Sequence, residues 1–472
     1  MLRRPQGCAI RRLTNSANGR EPGRSGPVSL LVFHRHGDRS PLRGHTPDEE
    51  LDLTGPGGGE EALSDMSTAA RSTAATAPAT ASASAARTAE AYWEGQLVQP
   101  HDIRRLDDLY PVRGSPAEVP TPDQESAPFG CLTSLGLQQL RKRGDRFRRR
   151  YCADGTMDPK RVGAFSTNYR RTQLSAQGFL DGFLSGRGGV HVMVRPREEE
   201  VLNQWESRGH EMWERVAALE SSDAFRETDE AVGGPIKRQL HALDPARFPL
   251  PKEGRFRWMM AADYFMSARA RGLRIAPELD ALGTATIRHL AWRFGCYYRD
   301  QEMMKIMVGP LLAHILECAE VDNLYEQEIS RDASPGMSGA GSAEGRLSRV
   351  WVSSCHDVTI LALLYAVDAE LVQDADYWPP YGSTVAFEVS RSRGRQSASG
   401  SLGSLHDARA EGSDAEEDGE ENEGDNSVVV LDISVDEEPL RSRLVHGRGE
   451  GGGLPLAAFR AAVRDLLPLP PP

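Results

Sequence analysis

The chain of 472 residues contains no long apolar run. A membrane-spanning helix needs about 20 consecutive apolar residues. The longest early run covers only residues 30–33. The sequence therefore argues against an integral membrane protein, and its ordinary fractions of hydrophobic residues (39%) and charged residues (26%) are typical of a globular chain.

The sequence also lacks the spacings of His and Cys that bind metals. Its six cysteines form no Cys-x-x-Cys pair, and none of them combines with a histidine at zinc-finger spacing. This absence excludes the common structural zinc modules. Six scattered thiols in a chain of this length are interpreted as reduced, with disulfides as the open alternative.

A broad charge of one sign is missing as well. The net charge is −12, but residues 411–425 alone contain nine carboxylates and no basic residue, which leaves −3 for the remainder. Long-range electrostatic steering therefore has little basis. The overall charge gives no reason to expect a nucleic-acid partner.

Three tracts are predicted to lie outside the folded core. Residues 1–26 carry six arginines and one acidic residue, which is typical of a mitochondrial transit peptide and also of a disordered basic tail. The first interpretation predicts a mitochondrial location and the second a cytoplasmic one. Residues 67–88, rich in Ser, Thr and Ala, are predicted to form a surface loop. Residues 391–427 are Ser/Gly-rich and then acidic, and are predicted to be a long solvated loop between the strands of a β-hairpin, at 384–389 and 428–433.

The remaining sequence alternates strand and helix patterns. Short apolar runs predict strands at 28–33, 161–165 and 350–354. Helices are predicted at 357–367 and after Thr133, a suitable N-cap residue. The second of these helices has apolar residues at helical spacing: Leu137, Leu140, Phe147 and Tyr151.

Strand patterns disappear between about residues 190 and 300. Helices are predicted there at 205–219, 258–271 and 277–294. We therefore expect an α/β core made of residues 27–185 and 300–472, with residues 186–299 inserted as a mainly helical cap.

Three polar clusters each follow a predicted strand, at residues 35–39, 166–172 and 356–357. Ligands of open α/β sheets bind beyond the carboxyl ends of the strands. The clusters are therefore expected to meet at one edge of the sheet, although they lie about 320 residues apart in sequence.

The residue types in these clusters suit a phosphate ester. Guanidinium groups bind phosphate oxygens through planar, charge-assisted hydrogen bonds. A neutral imidazole, His36, could attack phosphorus, and Asp357 could protonate the departing oxygen. Gly37 would allow a tight turn near the phosphate. Each motif alone is more often structural, but the three in this order favour a catalytic site.

The motifs resemble a known family. Residues 35–41 read Arg-His-Gly-Asp-Arg-Ser-Pro, which matches the Arg-His-Gly-x-Arg-x-Pro signature of the histidine acid phosphatases, and His356-Asp357 matches its distant His-Asp pair. Segments 130–139, 308–311, 378–381 and 446–447 are similar to the branch of lysophosphatidic acid phosphatases. Asn168, where many members carry Asp, is shared with that branch. The similarity covers residues 28–50, 128–185 and 300–460, and is weak in the helical middle.

The resemblance implies a phosphoglycerate-mutase-like α/β fold, a mostly parallel sheet with a helical cap. It implies that no metal or other cofactor is required. His36 would be the nucleophile, through a phosphohistidine, and Asp357 the proton donor. The groups that would hold the phosphoryl oxygens are Arg35, Arg39, Arg171 and His356, with Arg171 rather than its neighbour Arg170 as the family match.

The function expected from the resemblance is hydrolysis of phosphomonoesters at acidic to neutral pH. The preferred substrate is lysophosphatidic acid, a lysophospholipid, with monoacylglycerol as the product. The alternatives are a phytase-like or phosphosugar phosphatase, and an inactive phosphate- or lipid-binding protein.

Two further features each have two interpretations. The basic run at 140–150 could contact an anionic membrane surface or form a solvated helix face. A second set of residues could line an acyl-chain pocket or belong to the core of the cap: Trp205, Trp213, Trp258, Met259, Met260 and Met266.

Overall fold

The computed structural model describes residues 29–42, 90–114, 126–152, 157–251, 255–332, 347–393, 427–442, 444 and 454–468. The predicted tracts 1–26 and 67–88 lie outside these residues, as does most of the predicted 391–427 loop. Their assignments remain predictions.

One sheet organises the described chain. Its strands are β1 Ser29–Arg35, β2 Val112–Arg113, β3 Val162–Ser166, β4 Val192–Val194, β5 Arg349–Cys355, β6 Thr384–Arg393, β7 Ser427–Val435, β8 Glu438–Pro439 and β9 Leu454–Pro455. The strand order is β2-β4-β3-β5-β1-β6-β7-β8, and β9 pairs with β7. The half from β2 to β1 is parallel, whereas the strands beyond β1 are antiparallel. The α/β class with a mostly parallel central sheet is confirmed.

The twelve helices labelled here are α1 Pro100–Leu109, α2 Ser134–Tyr151, α3 Arg170–Phe183, α4 Gln204–Ser207, α5 Gly209–Ser221, α6 Asp223–Thr228, α7 Gly234–Leu243, α8 Trp258–Ala270, α9 Pro277–Tyr298, α10 Gln301–Asp332, α11 Asp357–Ala366 and α12 Leu456–Val463. Residues 90–96 are also helical. The helices predicted around 133–151, 258–271, 277–294 and 357–367 are therefore present, with shifted ends. The single helix predicted at 205–219 is wrong in one respect, because the chain leaves the helical conformation at Arg208 and forms α4 and α5 instead.

Strand β1 lies in the middle of the sheet because its apolar residues are buried on both faces. Successive strand residues point to opposite faces. Leu30 and Val32 pack into the core formed with α2 and α3. Leu31 and Phe33 pack into the core formed with α9, α10 and α11. The molecule therefore has helices on both faces of the sheet, as a parallel sheet requires.

Helix α2 begins where the sequence predicts. The Thr133 side chain accepts a hydrogen bond from the backbone N–H of Gly136, which satisfies one of the free donors of the first turn. The predicted apolar residues of this helix are all buried: Leu137, Leu140, Phe147 and Tyr151.

The basic face of α2 is largely paired within the molecule. Arg143 lies 3.0 Å from Asp436 and 3.0 Å from Glu437, and Arg148 and Arg149 both pair with Asp145. These ion pairs favour the interpretation as a solvated helix face. Contact of this face with a membrane stays a prediction.

The prediction that strands are absent between 190 and 300 is wrong at one place. Val192–Val194 forms β4, which pairs in parallel with both β2 and β3. Three residues are too short to give a recognisable pattern, and their pairing depends on partners distant in sequence. Helices α4 to α9 follow this strand, and no further strand lies among the described residues 195–251 and 255–298. The helical part of the chain therefore begins after β4.

The helical part has a small core of its own and also covers the sheet. Leu240, Phe248, Tyr264 and Phe265 belong to a cluster between α7, α8 and α9. Met212 of α5 and Phe294 of α9 belong instead to the core that includes β1. In the described residues, no helix combines the length and the apolar character that crossing a bilayer requires.

The predicted hairpin is also present. Strand β6 pairs with β7 along its whole length, from Val385 opposite Val435 to Arg393 opposite Ser427. The connecting tract 394–426 lies outside the described residues. In sequence, the acidic run is therefore an insertion between two paired strands.

Candidate active site

The register of the three central strands brings the predicted clusters together. Arg35 lies opposite Cys355, and Ser166 lies opposite Ser354. The residues that follow these strands therefore emerge side by side at the carboxyl edge. The backbone N–H of His36 donates to the carbonyl of Cys355 at 3.0 Å, and the His36 carbonyl accepts from the N–H of Gly382 at 3.1 Å.

His36 is held as a neutral imidazole with a defined tautomer. Its Nδ1 lies 2.9 Å from the carbonyl oxygen of Gly37, which can only accept, so Nδ1 carries the hydrogen. The lone pair is therefore on Nε2. Burial lowers the pKa of His36 well below its ordinary value, and the charges of Arg171, Arg35 and Arg39 lower it further. A neutral ring with a free nitrogen lone pair is the form that can act as a nucleophile.

The loop that carries His36 lies directly on the first turn of α2. A Cβ at Gly37 would lie 2.3 Å from the carbonyl oxygen of Gly136, and a Cβ at Gly136 would lie 2.1 Å from that of Asp38. Glycine is required at both positions because the two backbones are in contact. The sequence predicts that Gly37 serves close approach to a phosphate, whereas its observed close neighbour is this helix.

Asp357 lies at the first position of α11, beside His36. One carboxylate oxygen accepts from the N–H of Val358 at 2.9 Å. The other accepts from Trp378 Nε1 at 3.2 Å and lies 2.8 Å from Arg35 Nη2. The Arg35 guanidinium also lies over the ring of Tyr381, at 4.2 Å from its centroid. The carboxylate is therefore oriented by two hydrogen-bond donors and by its ion pair with Arg35.

His356 and Arg171 form the other side of the site. His356 Nε2 lies 3.1 Å from Thr167 Oγ1, and its ring centroid is 5.7 Å from that of His36. Burial lowers the pKa of His356 well below its ordinary value, with Arg171 as the largest electrostatic contribution. The Arg171 guanidinium lies over the Tyr169 ring at 4.2 Å.

The structure separates Arg171 from its neighbour. Arg171 is buried and acts electrostatically on both histidines of the site. Arg170 instead pairs with Asp107 of α1 at 2.7 Å, away from the histidines. The two residues occupy successive helical positions and so point in different directions.

Arg39 is in the site but is also bound by an acidic residue of α8. Its Nη2 donates to Asp263 Oδ1 at 2.6 Å, and its Nη1 lies 3.3 Å from Asp263 Oδ2. The carboxylate raises the pKa of Arg39, so that this side chain is a permanent cation. All six predicted site residues therefore lie at one edge of the sheet, and each of them is at most 9% exposed.

Comparison with known families gives this arrangement its context. Residues 29–401 match the model of the histidine phosphatase superfamily, branch 2, which covers more than half of the chain. The chain belongs to this superfamily.

Two curated relatives are similar to part of this chain. Lysophosphatidic acid phosphatase type 6 from Pongo abelii and the protein of that name from Homo sapiens are each 24% identical over 270 residues. The matched region covers 55% of this chain and 56% of either relative. The chain therefore spans little more than half the length of the relatives it matches.

Solved structures of phytases have the same fold. The apo form of the Hafnia alvei phytase has a TM-score of 0.50 and 11% identity, covering 95% of this chain and 98% of that chain. The same phytase in complex with myo-inositol hexakis sulphate has a TM-score of 0.50 and 12% identity, with the same coverage. At such identities the similarity shows the fold alone.

The sequence did not point to several residues that shape the site. Trp378 and Tyr381 lie in a segment used only for the resemblance. Asp263 was not singled out, although it is the only acidic residue of the largely apolar helix α8 and is fully buried. A lone acid in an apolar helix could have been noticed, but its partner could not.

Within the described residues, no group of three or more His, Cys, Asp or Glu side chains has an arrangement that could hold a metal ion.

Proposed function

We propose that this protein is a phosphatase that hydrolyses phosphomonoesters through a phosphohistidine on His36, with Asp357 as the proton donor. The observation that carries the proposal is the neutral His36 ring, whose Nδ1–H is bound to Gly37 and whose Nε2 is available. The neighbouring guanidiniums attract a phosphate group and keep the imidazole unprotonated at acidic pH.

The first step forms a bond from His36 Nε2 to phosphorus and breaks the bond from phosphorus to the ester oxygen. Asp357 gives its proton to the departing alkoxide, which leaves as an alcohol. In the second step Asp357 takes a proton from water, and the water oxygen attacks phosphorus. The bond from phosphorus to nitrogen breaks and inorganic phosphate leaves. Arg35, Arg39, Arg171 and His356 would hold the phosphoryl oxygens in both steps.

The release of p-nitrophenol from p-nitrophenyl phosphate in EDTA tests this mechanism. The wild type should be active. His36→Ala should lose nearly all activity, because alanine has no nitrogen that could attack phosphorus. Undiminished activity of the variant would contradict the phosphohistidine mechanism. Strong inhibition of the wild type by EDTA would contradict a metal-independent reaction. An inactive wild type would favour a phosphate-binding protein without catalysis.

The proposed substrate is lysophosphatidic acid. The names of the two curated relatives support it, and so does an aromatic series that begins at the surface. Trp213 is 57% exposed, and its ring lies 5.2 Å from that of Trp205. Trp205 contacts Phe294, which contacts Trp378, the residue that donates to Asp357. An apolar chain bound along the exposed end would lead toward the proton donor.

The other members of the predicted acyl pocket have different surroundings. Trp258 is buried, and its ring lies 4.2 Å from that of His289, within the helical part of the molecule. Met259 and Met266 are partly buried against the core. Of the residues predicted to line an acyl-chain pocket, the pair Trp205–Trp213 is the one that supports the substrate proposal.

Trp213→Ala tests the acyl-chain proposal. We expect kcat/KM for a long-chain lysophosphatidic acid to fall several-fold, because one aromatic contact of about 0.5–1.5 kcal/mol is lost. Activity on glycerol 3-phosphate, which has no acyl chain, should not change. Leu243→Ala, which removes another exposed apolar side chain (49% exposed), is the control. Equal effects on both substrates would contradict the proposal, and a preference for inositol or sugar phosphates in the wild type would favour the alternative phosphatases.

We also propose that the chain is directed to mitochondria by residues 1–26. The Arg-rich, acid-poor composition supports this proposal. Tagged chains with and without these residues should differ in location. An unchanged distribution would contradict it.

A further inference from the structure

Asp263 of helix α8 contacts the signature loop, residues 35–41, through Arg39. It is fully buried, and Arg39 is 5% exposed. Its Oδ1 accepts from Arg39 Nη2 at 2.6 Å, and its Oδ2 accepts from the N–H of Leu42 at 2.8 Å. The carboxylate therefore binds both the side chain of Arg39 and the backbone that follows it.

The geometry of this pair leaves one edge of the guanidinium available. Asp263 faces the two terminal nitrogens of Arg39, and Nη1 also donates to the Ser40 carbonyl at 3.0 Å. A guanidinium is a planar fork with a second bidentate edge formed by Nε and Nη2. Arg39 Nε is buried and has no hydrogen-bond partner among the described residues. A buried donor of this kind is costly unless a ligand satisfies it.

Asp263 belongs to a polar stripe on α8 and the residue just beyond it. Ser267 lies four residues after Asp263, and its Oγ is 3.3 Å from the hydroxyl of Tyr381, whose ring lies beside His36. Arg271 lies four residues further, and its Nη1 is 2.9 Å from Asp38 Oδ2. Residues at this spacing share one helix face. That face contacts Arg39 and Asp38 of the signature segment 35–41, and it also contacts Tyr381.

We propose that Asp263 is a positioning residue for the phosphoryl group, acting through Arg39. Its carboxylate holds the end of the guanidinium, so that the Nε–Nη2 edge faces the phosphoryl oxygens. It also balances one of the positive charges that surround neutral His36, which limits their repulsion when the site is empty. This inference rests on the proposed phosphate-binding role of Arg39.

Asp263→Asn is the decisive variant because the amide oxygen can still accept from the N–H of Leu42. The negative charge is lost, and so is the pair of acceptors that faces the two terminal nitrogens of Arg39. We expect kcat/KM for p-nitrophenyl phosphate to fall about 10- to 100-fold, as for other small displacements of a positioning group. The inhibition constant of inorganic phosphate should rise by a similar factor. Asp280→Asn removes the exposed ion pair, at 2.8 Å, between Asp280 of α9 and Arg269 of α8, and should leave both quantities unchanged.

A double-mutant cycle separates positioning from simple support of the fold. If Asp263 acts through Arg39, the variant Arg39→Gln/Asp263→Asn should match Arg39→Gln in kcat/KM within about threefold. The double variant also removes the unpaired buried charge, so it remains informative if one single variant does not fold.

Three outcomes would overturn this inference. One is a wild-type phosphate inhibition constant in Asp263→Asn together with only a lower melting temperature. Another is multiplicative losses in the double variant. The third is an unaltered kcat/KM in Asp263→Asn while Arg39→Gln is impaired. Full activity of Arg39→Gln would instead contradict the proposed phosphate-binding role of Arg39 itself.

Discussion

Asp357→Asn tests the proton donor because it removes the acid and keeps the shape of the side chain. In the wild type the carboxylate lies 2.8 Å from Arg35 and accepts from Trp378 Nε1 at 3.2 Å and from the N–H of Val358 at 2.9 Å. The amide can keep one of these acceptor positions. It cannot supply a proton to an alkoxide or balance the charge of Arg35.

The size of the effect depends on the leaving group. General acid catalysis contributes about 10²- to 10⁴-fold, which corresponds to about 2.7–5.5 kcal/mol in the activation free energy. We expect this loss in kcat/KM for glycerol 3-phosphate, whose alkoxide needs a proton in the first step. The loss for p-nitrophenyl phosphate should be about tenfold or less, because the phenolate departs unprotonated and only positioning is disturbed.

Folding stability must be measured in the same variant. Breaking a buried ion pair typically costs about 3–5 kcal/mol. The value here should be near the lower limit, because Arg35 keeps its hydrogen bond to the Pro379 carbonyl and its contact with the Tyr381 ring. Thermal unfolding monitored by circular dichroism gives this quantity, and the kinetics must be recorded well below the melting temperature.

The assay compares kcat/KM, which reports the first step alone, for the two substrates in the wild type, in Asp357→Asn and in Asp374→Asn, an exposed aspartate beyond the site. The ratio of the two kcat/KM values should change at least tenfold in Asp357→Asn and should stay constant in the control. Equal losses in kcat/KM for both substrates would refute Asp357 as the proton donor, even if the variant were nearly inactive.

Two further predictions concern the fold around the site. Gly136→Ala should lower the free energy of unfolding by about 1–3 kcal/mol and reduce kcat, since its Cβ would lie 2.1 Å from the Asp38 carbonyl oxygen; Gly95→Ala, where nothing lies within 4 Å, should change neither quantity. Burial lowers the pKa of His34 to about 4, so the folded state stays neutral while the unfolded state binds a proton below pH 6.5. Stability is therefore lost as the pH falls from 6.5 toward 4, and denaturant titrations of His34→Gln should show about 3 kcal/mol less of this loss at pH 4 than the wild type, whereas identical pH profiles would contradict the assignment.

The strands and the main helices were predictable because local patterns dominate them. The apolar run of β1 is long enough to require burial on both faces, and Thr133 is a good N-cap residue at the start of an amphipathic helix. Strand β4 was not predictable for the opposite reason. Three residues carry no periodicity, and Val192–Val194 becomes a strand only because β2 and β3 lie beside it.

The sequence by itself determined which groups could do the chemistry. The signature around His36 and the pair His356-Asp357 follow predicted strands, and the placement of parallel strand ends is a general rule. The site residues could therefore be proposed, and brought to one edge, without coordinates.

Only the tertiary structure decided how those groups are used. The Gly37 carbonyl lies at Nδ1 of His36, which leaves the lone pair on Nε2. Arg171 points toward the site, whereas Arg170 pairs with Asp107. The fold also pairs Arg39 with Asp263, more than 220 residues away in sequence. Hydrogen-bond geometry and charge pairing between distant segments leave no local pattern, because they arise only when the helical part of the chain packs against the edge of the sheet.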